Sequence, residues 1–197
     1  MSRPWTLALT SVAFFMAALD TLVVITALAA IHDQLGASLS DLEWTVNAYS
    51  LTAAAGIVTA AALGDRLGRR RLFVLGLTLF TTASAACAVA PGAGFLIAAR
   101  AIQGLGAAMI APLSLTLLTA AFPPQRRGAV IGIWGGLAGL AVASGSLIGG
   151  AVTQGLDWHW IFWVNVLMGA TAILLSRLRL SESRGPETVS TFPRSLW

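Results

Sequence analysis

Two ionisable residues stand inside long apolar stretches: Asp20 in "FFMAALDTLVVITAL" and Arg100 in "GFLIAARAIQGLGAA". A carboxylate removed from water costs several kcal/mol, so Asp20 has to be paired or protonated. If it meets Arg100, protonation would uncouple the two and bias the molecule between two conformations, which is a workable proton switch. The alternative is a static ion pair that pins two segments together. Gln103 and Gly104 follow Arg100 and offer a polar contact and a close backbone approach. Asn47, Tyr49, Thr52 and Asn165 are further polar groups in apolar surroundings, suited either to lining a substrate cavity or to ordinary interhelical hydrogen bonds.

The elements that hold these residues follow from composition. With 57% hydrophobic and 10% charged residues, the chain lacks the polar surface a soluble domain shows to water. Lipid is its solvent. Six stretches are long and apolar enough to cross ~30 Å of hydrocarbon as helices: Trp5 to Ile31, Trp44 to Leu63, Leu72 to Ala90, Phe95 to Ala121, Gly128 to Gln154 and Trp158 to Ser176. Only Asp20 and Arg100 are charged within them. The first apolar stretch is too long for a signal peptide and is interrupted by Asp20, so it reads as an uncleaved first helix. At ~1.5 Å per residue, Asp20 lies ~22 Å along that helix and Arg100 ~8 Å from the start of the fourth.

All twelve basic residues are arginine, which excludes a Walker A loop and its lysine. Eleven of the twelve flank the spans on one side. Arg3 precedes the first, Arg66, Arg69, Arg70 and Arg71 follow the second, Arg126 and Arg127 follow the fourth, and the rest follow the sixth. The positive-inside bias then predicts both termini in the cytoplasm, with Trp44, Trp158 and Trp160 as outer interfacial anchors. The single Cys87 cannot form an internal disulfide.

The short stretch "LGDRLGRRRL" does more than orient the chain. Asp65 and Arg69 form an i, i+4 pair in the favourable order if the loop is a helical turn, and Gly64 and Gly68 permit tight backbone on either side. In the fifth span, Gly132 and Gly136, Gly135 and Gly139, and Gly145 and Gly149 are each four apart, a spacing that lets another helix approach closely in lipid. Ser144, Ser146 and His159 supply the residue types of an intramembrane serine protease, but Val142 stands where the G-x-S-G motif needs glycine.

Four of these stretches resemble the major facilitator superfamily. "ALGDRLGRRRL" is similar to its loop between helices 2 and 3, G-x-L-A-D-R-x-G-R-R/K, with Ala61 at the first glycine. "LDTLVVITAL" resembles the L-D-x-T-I-V-N-V-A-L signature of the fourteen-helix drug/proton antiporters, with Ile25 in place of Asn. "RAIQGLGAA" matches R-x-x-Q-G-x-G-A, and "AVASGSLIGG" resembles G-x-x-x-G-P-x-x-G-G with Ala141 and Ser146 at the first Gly and the Pro. A fifth, "DWHWIFWVNV", resembles D-W-R-W-x-F-x-x-N-x-P, with His159 for Arg and Leu167 for Pro.

The resemblance implies an all-α membrane protein whose six helices, in 3+3 inverted repeats, form the N-terminal half of a proton-coupled multidrug antiporter in a bacterial inner membrane. It implies proton coupling at Asp20 and Arg100, and a conformational latch at Gly64, Asp65, Arg66, Gly68, Arg69 and Arg70. It also implies contact with a second half through Gly145, Gly149 and Gly150 of helix 5. A substrate cavity would take Asn47, Tyr49, Gln103 and Asn165. The expected partners are lipid, protons, a small amphipathic substrate and a second six-helix half or second copy, with no nucleic acid, cofactor or metal. Residues 1–176 read as the six-helix unit and 177–197 as a polar cytoplasmic tail or truncated linker. The other functional readings are a non-transporting fragment or half-subunit, or a major facilitator for another solute.

Overall fold

Each apolar stretch becomes a helix because only a helix satisfies its backbone within the segment. The computed structural model describes residues 3–155 and 157–182, with backbone alone at 146 and 152–155. Its helices are α1 (Arg3–Leu35), α2 (Leu39–Leu67), α3 (Arg69–Ala88), α4 (Ala93–Ala121), α5 (Pro124–Gly155) and α6 (His159–Arg179). All six have the length and hydropathy of a membrane span.

The turns follow from local chemistry. Gly36 takes φ +61° after α1, and Ser38 opens α2 with a reciprocal cap: its Oγ accepts from the Asp41 N–H while Asp41 Oδ2 accepts from the Ser38 N–H. Between α2 and α3 the expected loop contracts to one residue, Gly68 at φ +113°, a conformation that favours glycine. α5 starts at Pro124, whose missing N–H has no intrahelical partner to lose there.

The helices pair as two repeats that exchange neighbours. α4 packs on α2 and α3, and α1 packs correspondingly on α5 and α6, while α3 and α6 pack together. Small residues set these approaches. A Cβ on Gly56 would lie 2.8 Å from Ala108 Cβ, and one on Gly104 would collide with the Tyr49 carbonyl and Thr52 across the α2–α4 crossing. One on Gly145 would lie 2.8 Å from Leu22 Cβ across α1–α5. Two apolar clusters result, one around Phe73, Phe80, Leu113 and Leu117 and the other around Val24, Ile31, Leu96 and Phe162.

Several expectations change. The helices extend beyond most of the spans read from hydropathy, because polar residues at the ends continue the backbone ladder outside the apolar window. α6 runs to Arg179, and Leu180 is buried in the first cluster, so the six-helix unit continues past 176; residues 183–197 of the expected tail lie outside the described residues. Trp158 is not an interfacial anchor. It is 1% exposed, and its indole Nε1 donates to Gln34 Oε1 at 2.8 Å, whereas Trp44 and Trp160 are exposed.

The helix-5 glycines divide. Gly145 and Gly149 are filled by Leu22 and Thr26 of α1, so this part of the motif packs within the six-helix unit and not against a second half. A Cβ on Gly132, Gly135, Gly136, Gly139 or Gly150 would meet nothing within 4 Å. The Ser146 side chain lies outside the described residues.

Candidate functional site

α1 and α4 bring Asp20 and Arg100 together at the centre of the bundle, each 1% exposed. Arg100 Nη1 donates to Asp20 Oδ2 at 2.5 Å and to Gln103 Oε1 at 2.7 Å. Its Nε donates to the Thr45 carbonyl at 3.2 Å, and its guanidinium lies 4.2 Å from the centre of the Tyr49 ring. Arg100 and Gln103 are three apart and so share one face of α4. Tyr49 is fixed in turn by its hydroxyl, which donates to the Ala17 carbonyl at 3.2 Å.

The second carboxylate oxygen is satisfied from α4 and α6. Gln103 Nε2 donates to Asp20 Oδ1 at 3.0 Å and to Ser84 Oγ of α3 at 2.8 Å. Asn165 Nδ2 of α6 donates to Asp20 Oδ1 at 2.5 Å. Three donors therefore converge on Asp20, the complement of an ionised carboxylate. Oδ1 already accepts two hydrogen bonds, so a proton binding there displaces Gln103 or Asn165, and then the charge that holds Arg100 is gone. Chemically the cluster can store either a charge pair or a neutral acid beside an unpaired guanidinium, with different helix contacts in each state.

Asp20, Arg100, Gln103, Tyr49 and Asn165 thus form one cluster. Tyr49, Gln103 and Asn165, expected along a substrate cavity, are buried partners of the ion pair, because a buried charge draws in the nearest dipoles; Asn47 stays exposed. Sequence reasoning missed Ser84 and the Thr45 carbonyl. Ser84 sits among "TTASAAC", where hydroxyls commonly bond their own helix, as Ser84 Oγ also does to the Phe80 carbonyl at 2.7 Å. A small cavity of about 30 Å³ adjoins Asp20 and Asn165 between α1, α5 and α6.

At the arginine-rich end, Asp65 and Arg69 do pair, at 2.8 Å, but across the Gly68 break from the end of α2 to the start of α3. Gly64 is buried against Leu113, and Arg66 is exposed. Glu182, unremarked in the sequence, folds back onto this junction. Its Oε1 accepts from the Arg70 N–H at 3.0 Å and its Oε2 lies 3.6 Å from Arg71 Nε, while Arg70 Nη2 donates to the Arg177 carbonyl at 2.8 Å.

A family model described as Major Facilitator Superfamily matches residues 10–195. The chain belongs to the major facilitator superfamily. It is similar to the tetracenomycin C resistance and export protein of Streptomyces glaucescens, at 37% identity over 96% of this chain and 36% of that protein. It is also similar to the drug efflux pump JefA of Mycobacterium tuberculosis, at 40% over 92% of this chain and 36% of that one. The chain therefore spans about a third of the length of these curated relatives. Among solved structures, a bacterial homologue of the human lysosomal transporter Spinster, inward-facing and unoccupied, superposes with a TM-score of 0.74 at 19% identity, covering 99% of this chain and 47% of the other. The human organic anion transporter MFSD10 gives 0.74 at 17% identity, covering 92% and 48%. Those two establish the fold, an all-α membrane bundle of the kind the motifs implied.

Membership of a transporter family sets aside the protease reading. The Ser144 hydroxyl, weighed as a nucleophile, donates to the Leu140 carbonyl of its own helix at 2.7 Å.

Proposed function

We propose that this major facilitator chain is the N-terminal half of a proton-driven exporter of amphipathic drugs. Asp20 carries the coupled proton, and Arg100 senses its charge. The observation that carries this reading is the fully buried pair, completed by Gln103 and Asn165, on the two helices that meet at the bundle centre. Intramembrane ionisable residues with named partners are the usual place for proton relays. The relatives named for drug efflux and for tetracenomycin C resistance and export support the substrate class.

Alternating access needs a second body against which this one rocks. α2 and α5 bury little of their apolar length, and the open stretch of Gly132, Gly135, Gly136 and Gly139 offers the second six-helix body a close-packing face. That body is a C-terminal half or a second copy. The arginine-rich end faces the cytoplasm of a bacterial cell, with both termini there, and Asp65, Arg69 and Glu182 latch that end while the outer side is open.

The test is export of a fluorescent lipophilic cation from vesicles, driven by an imposed pH gradient, with subunits counted by single-molecule bleaching. Export is expected only from vesicles holding two six-helix bodies, and its uphill component should vanish in Asp20→Asn/Arg100→Gln while drug binding survives. Undiminished pH-driven export by that variant would remove Asp20 from the coupling role. Export from vesicles with one six-helix body each would remove the need for a partner.

A further inference from the structure

The buried carboxylate is closed off on most sides. Arg100 and Gln103 of α4 cover it from one direction, and the Tyr49 ring of α2 lies behind the guanidinium. On the α3 side, Ser84 and Cys87 meet Gln103, itself fully buried. The remaining direction is toward α5 and α6, where Asp20 and Asn165 are the polar lining of a cavity otherwise walled by apolar side chains, among them Ile148, Ile161 and Val164. At about 30 Å³, it has room for about one water molecule. Ile148 and Val164 are each 38% exposed, so the wall they make is one side chain thick.

We infer that this cavity between α1, α5 and α6 is the route by which protons reach Asp20, with Asn165 as the residue that the carrying water meets and displaces. The inference rests on the reading of Asp20 as the proton carrier. A hydronium in the cavity gives its proton to Asp20 Oδ1 and leaves as water, while the Asn165 amide turns from the acid to that water. An amide serves here because it donates to the carboxylate and, once turned, both donates to and accepts from water. The small volume leaves no room for anything much larger than water. Among the described residues, the ionisable groups facing Asp20 are Arg100 from α4, Tyr49 from α2 and Cys87 from α3; α5 and α6 present only apolar side chains and Asn165.

The experiment follows the carboxyl C=O infrared band of Asp20 after a pH jump, on the full chain in lipid nanodiscs. The band is assigned by its absence from Asp20→Asn/Arg100→Gln. Val164→Phe, which fills the cavity, should slow protonation about tenfold with an unchanged midpoint, and Val164→Ala, which thins the wall, should speed it by a similar factor. Leu174→Phe, exposed on the same helix and away from the cavity, should change neither. Unaltered rates in both Val164 variants, with the Asp20 band still titrating, would overturn the route and leave the proton carrier in place. The lack of any Asp20-dependent band across the pH range would overturn the carrier itself and the route with it. If the phenylalanine variant does not fold, the alanine variant decides alone, since a thinner wall that fails to speed protonation contradicts the route.

Discussion

The α3–α4 seam and the α1–α6 seam occupy corresponding places in the two repeats, and they are built in opposite ways. In the first, glycine brings backbone against backbone. A Cβ on Gly106 would stand 2.6 Å from the Phe80 nitrogen and 2.9 Å from the Gly76 carbonyl, and one on Gly76 would stand 2.6 Å from Met109 Cβ. In the second, a side-chain amide reaches a carboxylate, and a cavity remains beside them. Accordingly most of α3 is buried, whereas α6 buries only a minority of its residues. Close backbone packing gains dispersion contacts and fixes two helices as one body. A seam joined by a titratable contact can change its closeness with the charge. One repeat thus supplies a rigid frame, and the other a contact that can give.

The comparison breaks most sharply at the ion pair. Asp20→Asn leaves the Arg100 guanidinium buried without its counter-charge, and removing one partner of such a pair costs about 3–5 kcal/mol. Adding Arg100→Gln should recover most of that loss. Thermal unfolding in detergent, arranged as a double-mutant cycle, reads the coupling; additive single effects would mean that the pair does not hold α1 to α4.

At the rigid seam, Gly106→Ala introduces a methyl where the neighbours are backbone atoms that cannot turn aside. The expected loss lies near the upper end of the ~1–3 kcal/mol that overpacking costs. A melting temperature within error of the parent would show that α3 and α4 can separate, and the two seams would then not differ in kind.

At the hollow seam, enlargement should be tolerated. Val164→Leu adds one methylene beside an existing cavity on a part-exposed residue, so its stability change should stay within about 0.5 kcal/mol. A loss comparable to that of Gly106→Ala would indicate that the cavity cannot accept the added atoms, removing the contrast from the other side.

Much of this protein is legible in its residue types and their spacing. The six spans followed from the bilayer's demand that backbone groups be paired internally, which composition alone expresses. The ion pair followed too, because two charged residues in hydrocarbon have few alternatives to one another. Asp65 and Arg69 were paired by spacing, and the pairing held although the loop between them shrank to Gly68.

What the sequence could not decide was which neighbour fills each small-residue groove. A glycine spacing of four states that some helix comes close but carries no mark of which one, so Gly145 and Gly149 could be read against a second half when their partner is α1. The same holds for Trp158, whose position at a helix start suggests the interface, whereas its indole is paired with Gln34. Thr45 and Glu182 enter through contacts 55 and 112 residues apart along the chain, and Ser84 arrives through the α3–α4 packing. Residue type and local period determine what a segment can bury and which charges need partners. The identity of the partner, and the cavity left beside Asp20, depend on how rigid helices tile together, and that is fixed only when all six are in place.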